Sequence, residues 1–81
     1  MFRGKNHTYY GYEITIKNRR KGPLPITIFD RIPVSSDQNI TVNPIELSEG
    51  RLDKESGKVE WEKTLKADET LTLTLAYEIV E

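Results

Sequence analysis

Leu71, Leu73, Leu75, Tyr77 and Ile79 alternate with Thr70, Thr72, Thr74, Ala76 and Glu78. Successive side chains of a strand point to opposite faces, so the apolar residues of this run share one face and the threonines the other. A helix would scatter the same residues around its circumference. The run predicts one long strand with a buried and a wetter side. The same period recurs upstream. From Tyr10 onward, Tyr10, Tyr12, Ile14 and Ile16 fall on one side, with Glu13, Thr15 and Lys17 on the other. Asn18–Pro23 breaks the pattern with turn residues. Pro25–Arg31 resumes it with Ile26 and Ile28 inward and Thr27 and Phe29 opposite, and Ile32–Asp37 follows as a loop because Pro33 does not suit a central strand.

Asn39–Leu47 reads as a third strand carrying Ile40 and Val42, and Pro44 within it predicts an edge position or a bulge. A short segment at Leu52 precedes the turn Asp53–Gly57, where Gly57 supplies a positive φ if the turn needs one. Val59, Trp61 and Leu65 line one face of the next strand, with Lys63 snorkelling to the rim. Lys66–Asp68 then turn into the final strand. No segment carries a 3.6-residue period. The pattern predicts an all-β, immunoglobulin-like antiparallel β-sandwich of six to seven strands. Its inner faces are Tyr12, Ile14, Ile16, Ile26, Ile28, Ile40, Val42, Val59, Trp61, Leu65, Leu71, Leu73, Leu75, Tyr77 and Ile79. Residues 1–8 read as a flexible N-terminal segment and residues 9–81 as a single domain. The first strand, with its charges, and the third, with Pro44, read as edges protected against further pairing.

Composition narrows the chemistry. In 81 residues there is room for one core. The absence of cysteine removes disulfides and thiolate metal sites, and a single histidine removes most metal and acid–base constellations. No apolar run approaches the roughly 20 residues that span a bilayer as a helix. Net charge is −1, unevenly spread: residues 1–35 hold seven Lys/Arg against two acids, and residues 36–81 hold five against eleven. Interleaving of strands from the two halves in a sandwich cancels much of this asymmetry.

Few residues invite a functional reading. Lys17, Arg19, Arg20 and Lys21 cluster at one turn and form a weak interaction turn for phosphate, lipid headgroups or an acidic partner; a solvated hairpin tip is the plainer account. Trp61 is either a stacking platform or, more in keeping with its inward position, a core anchor between sheets. His7 sits in a polar segment, poorly placed to serve Ser35 or Ser36 in a triad. Asp53, Glu55 and Glu49 lack the spacing of a calcium loop.

Three groups of residues carry a resemblance. Tyr12–Asn18 is followed by a basic turn and then by Asp30-Arg31-Ile32-Pro33-Val34-Ser35. Further on come Leu52-Asp53, Gly57-Lys58-Val59-Glu60-Trp61 and the closing Leu71–Ile79 strand. In order and spacing these resemble the C-terminal β-sandwich region of the domain of unknown function 4139 family, in proteins described as mucoidy-inhibitor-A-like. Ala67-Asp68-Glu69 stands where that pattern has a Pro-Gly-Glu turn. The resemblance implies a piece of a larger bacterial protein, of the cell envelope or secreted, and it carries over no catalytic residues.

The functional expectation is a non-catalytic structural or protein-interaction module, without cofactor or metal. Its partners are other domains of the parent chain or another protein, with no nucleic acid and no membrane span, and the isolated fragment is expected to be a monomer. The alternative is a small carbohydrate-binding module using outward aromatics such as Tyr9, Phe29 or Phe2.

Overall fold

The computed structural model describes residues 6–81. Among them there are six strands and no helix: β1 (His7–Lys17), β2 (Leu24–Arg31), β3 (Thr41–Glu46), β4 (Arg51–Leu52), β5 (Lys58–Leu65) and β6 (Thr70–Val80). They form two antiparallel sheets of three, in the orders β1-β6-β3 and β2-β5-β4. Val59 and Trp61 from one sheet and Leu73, Leu75 and Tyr77 from the other share one buried cluster with Ile32. The all-β reading holds, and the strand count falls at its lower end. The three-plus-three division differs from the four-plus-three of an immunoglobulin constant domain, so the likeness is confined to two antiparallel layers around a common core.

The period-two pattern places the long strands as expected. On β6, Leu73, Leu75 and Tyr77 are buried, and on β5 so are Val59, Trp61 and Leu65. Trp61 is the core anchor: it is 1% exposed and its Nε1 donates to the Leu47 carbonyl at 2.7 Å. The same carbonyl accepts from the Gly50 amide, closing the turn Leu47–Gly50 with positive φ at Ser48 and Glu49, the signature of a type I′ connection. Gly50 is required there, because a Cβ would stand 2.6 Å from the Trp61 Nε1. Gly57 does adopt a positive φ, 78°, and a Cβ on it would run into the Ile32 carbonyl. That contact lets the Ile32 amide donate to the Gly57 carbonyl and brings Ile32 into the core.

Several boundaries differ from the sequence reading. β1 begins at His7, not Tyr10, and the amide and carbonyl of Asn6 pair with those of Glu81. Of the segment read as flexible, residues 6–8 are thus tied to the end of the chain, and residues 1–5 lie outside the described residues. β3 spans Thr41–Glu46, is an edge strand, and slips register between Pro44 and Glu46. The slip turns Ile45 out to solvent. Ser48 repairs the ladder past the slip: its hydroxyl accepts from the Thr74 amide at 2.7 Å and donates to the Thr74 carbonyl at 3.2 Å.

Tyr12 corrects the list of core residues. It lies on the inner side of β1 opposite Leu75, yet it is 53% exposed. β1 and β6 run eleven residues each while β2 and β5 run eight. β6 is the central strand of its sheet and β1 an edge, and the cluster that buries Leu75 and Tyr77 on β6 does not extend to Tyr12 beside them.

Candidate functional site

The basic turn joins β1 to β2. Its framework is Asn18, read from the sequence as a turn residue and found fully buried. The Asn18 Nδ2 donates to the carbonyls of Gly22, Leu65 and Lys66 at 2.9–3.1 Å, and its Oδ1 accepts from the Arg20 amide at 2.9 Å. Its backbone amide donates to Glu69. One side chain therefore fastens two of the four places where the chain crosses between sheets, β1 to β2 and β5 to β6. Asparagine suits this role because it carries donors and an acceptor on a short, uncharged group. Only its neighbourhood of turn residues hinted at it. Lys17, Arg19, Arg20 and Lys21 all project into solvent around this buried hub, and no carboxylate among the described residues pairs with any of them within 4.0 Å. The turn that carries Lys66 lies beside them. The arrangement is a turn pinned by Asn18 with exposed cations on it.

At the far end of the same sheet the tyrosines gather on the inner face. Tyr10 stacks on Tyr77, with ring centroids 5.2 Å apart and planes at 24°. Burial raises the Tyr77 phenol above its ordinary value, and the neighbouring Tyr12 hydroxyl raises it further. On the outer face of this sheet, Glu78 collects donors across all three strands. His7 Nδ1 lies 2.8 Å from its carboxylate and Asn43 Nδ2 donates at 3.2 Å. The hydrogen bonds from His7, Tyr9 and Asn43 hold Glu78 below the usual carboxylate range, and the Glu78 carboxylate raises the Tyr9 phenol. A carboxylate kept charged in this way is a poor proton donor at neutral pH.

The remaining sequence-picked residues are separated. Ser35 Oγ engages the backbone of Asp37, while His7 engages Glu78. Asp53 Oδ1 accepts from the amides of Glu55 and Ser56, and these bonds lower its pKa while shaping the β4–β5 turn. Tyr9 and Phe29 are exposed, at 66% and 54%, but on the outer faces of opposite sheets. The Phe29 ring already holds the Lys58 ammonium 4.3 Å from its centroid. Phe2 lies outside the described residues.

A cleft of about 460 Å³ opens at the β3–β4 side, lined by Ile32, Val34, Ile40, Val42, Pro44 and Leu52 among others. The Asp30–Ser35 run that carries the family resemblance forms part of its wall. Its apolar residues, set in a loop by Pro33, were the available signal.

The most open feature is the outer edge of β1, which among the described residues pairs with β6 alone. Asn6 and Glu81 exchange two backbone hydrogen bonds, and the Asn18 amide donates to Glu69 in the same register. In an antiparallel ladder such pairs alternate with unbonded ones. Even-numbered residues of β1 therefore face β6, and His7, Tyr9, Gly11, Glu13, Thr15 and Lys17 present their amides and carbonyls to the open side. The charges of β1, read as edge protection, do not block it: Glu13 and Lys17 stand on the outer face, and the strand has neither proline nor register slip.

No helix of the described residues is long and apolar enough to cross a membrane. No curated protein and no solved structure matches the chain. Residues 1–80 match the family described as Domain of unknown function (DUF4139), and the chain belongs to that family.

Proposed function

We propose that this chain is a non-catalytic interaction module of a larger protein, one that receives another polypeptide at the edge of β1. The carrying observation is that edge: eleven residues in unbroken register, with one side unpaired among the described residues. Strand addition uses this geometry, taking affinity from main-chain hydrogen bonds and selectivity from alternate side chains. The uncovered rings of Tyr10 and Tyr12 supply apolar area next to the same edge. Where a serine or acid might act as a catalyst, its hydrogen bonds instead shape turns or hold neighbouring strands together.

The test is a photoreactive residue at position 15, on the open edge, in the protein that carries this domain. It is expected to crosslink to polypeptide, whereas the same group at Glu60, inside the other sheet, is not. Equal yields at both positions, or none at position 15, would overturn the reading. Carbohydrate binding ranks second. It is favoured by the exposed Tyr9 ring beside Glu78 and Asn43, which could offer stacking and polar contacts to a sugar. Loss of glycan retention on Tyr9→Ala, with the fold intact, is its expected signature.

A further inference from the structure

We propose that the partner at this edge is a second copy of the chain, with β1 paired antiparallel to β1 about a two-fold axis to give one six-stranded sheet. The inference rests on the interaction reading above and names its occupant.

The edge defines what an added strand must look like. Its inward positions have to be apolar, to meet Tyr10, Tyr12, Ile14 and Ile16, and its outward positions have to tolerate water. It needs amides at every second residue and no proline among them. β1 itself meets each requirement. The other edges of the molecule meet fewer: β2 carries Pro25, β3 carries Pro44 and a register slip, and β4 has two residues.

Self-pairing works in a register that uses the whole strand. With His7 opposite Lys17 of the other copy, Tyr9 meets Thr15 and Gly11 meets Glu13 on the outer face. On the inner face Thr8 meets Ile16, Tyr10 meets Ile14, and the two Tyr12 rings meet across the axis. No two like charges stand directly opposite each other, and aromatic and β-branched residues face one another where the monomer leaves rings exposed. The pairs with free backbone groups are those of the odd residues. Six such residues per strand, each giving one donor and one acceptor, provide about twelve hydrogen bonds, against about ten in an ordinary interface. The contact is isologous and closes on itself, so it yields a dimer and not a fibre. The proposed dimer departs from the monomer expected from sequence.

Sedimentation equilibrium of the 81-residue chain from micromolar to millimolar concentration tests the proposal. A monomer–dimer equilibrium is expected, weakened at least about tenfold by Thr15→Pro. The Thr15 amide points to the open side, so proline there removes no bond within the monomer. Because a proline could still disturb β1, Tyr12→Lys is measured beside it; a charge on the inner face at the axis is expected to weaken the dimer equally, with Trp61 fluorescence reporting that the fold persists. A monomer at every concentration, or a dimer indifferent to both variants, overturns self-pairing. Neither result touches the interaction reading, which fails separately if position 15 captures no polypeptide in the protein that carries this domain.

Discussion

The two ends of the β1–β6 ladder carry the same alternating pattern and reach opposite outcomes. At the Asn18 end the second sheet lies beneath the first, and the crossings from β1 to β2 and from β5 to β6 are fastened by one buried amide. At the tyrosine end the core reaches β6 but not the edge strand beside it, and Tyr12 stays half in water although its partner Leu75 is 1% exposed. Alternation decides which face a residue takes. Burial depends also on whether the strand is central or outermost, which is a property of strand order.

The largest expected effect is at the closed end. Asn18→Ala leaves three carbonyls and the Arg20 amide without their partner and is expected to cost about 4 kcal/mol in urea unfolding. Arg19→Ala and Arg20→Ala, on the same turn but solvated, are expected to stay within about 0.5 kcal/mol of wild type. Similar losses for all three would erase the distinction between hub and tip.

Next is the pair Leu75 and Tyr12, which face each other on one ladder. Leu75→Ala is expected to cost about 3 kcal/mol, and Tyr12→Ala, measured on dilute monomer, less than about 1 kcal/mol. Equal costs would mean that something covers Tyr12.

A smaller effect of opposite sign sharpens the account of the closed end. Asp68 sits at φ 60° in the turn Lys66–Glu69, closed by a bond from the Glu69 amide to the Lys66 carbonyl. Asp68→Gly relieves the left-handed strain and is expected to stabilise by about 0.5–1 kcal/mol. The glycine of the Pro-Gly-Glu pattern thus finds its physical reason in this backbone angle.

The smallest effect belongs to the open end. Glu78 has a folded pKa held below its unfolded value by His7, Tyr9 and Asn43. Its contribution is therefore complete above the ordinary carboxylate range and is lost as pH falls through the lowered folded value. Glu78→Gln is expected to lower stability slightly at neutral pH, to flatten the acid limb of the stability–pH curve and to leave its acid end nearly unchanged. A basic limb altered instead would contradict the assignment.

Much of the fold was legible because the signals were local. The long run from Leu71, the prolines, and Gly57 each fixed an element or a turn through its own stereochemistry. Pro44 announced an edge or a bulge, and both occur. What escaped depended on distance. Nothing near Asn18 in sequence shows that Leu65 and Lys66 will offer it their carbonyls. Ile32 looked like loop because its partner Gly57 lies far along the chain. The open edge escaped for the same reason: whether a strand is central or outermost depends on strand order, and the charges of β1 suggested protection that their placement on the outer face does not give. The basic residues were visible as a cluster, but only the structure separates them from the buried amide in their midst.

The most direct test of this division is amide hydrogen exchange on the dilute chain, resolved along β1. Alternating protection is expected: slow at Thr8, Tyr10, Tyr12, Ile14 and Ile16, which bond to β6, and fast at Tyr9, Gly11, Glu13 and Thr15, which face the open edge. Slow exchange at both parities in dilute monomer would show that the edge is already occupied and would contradict the account.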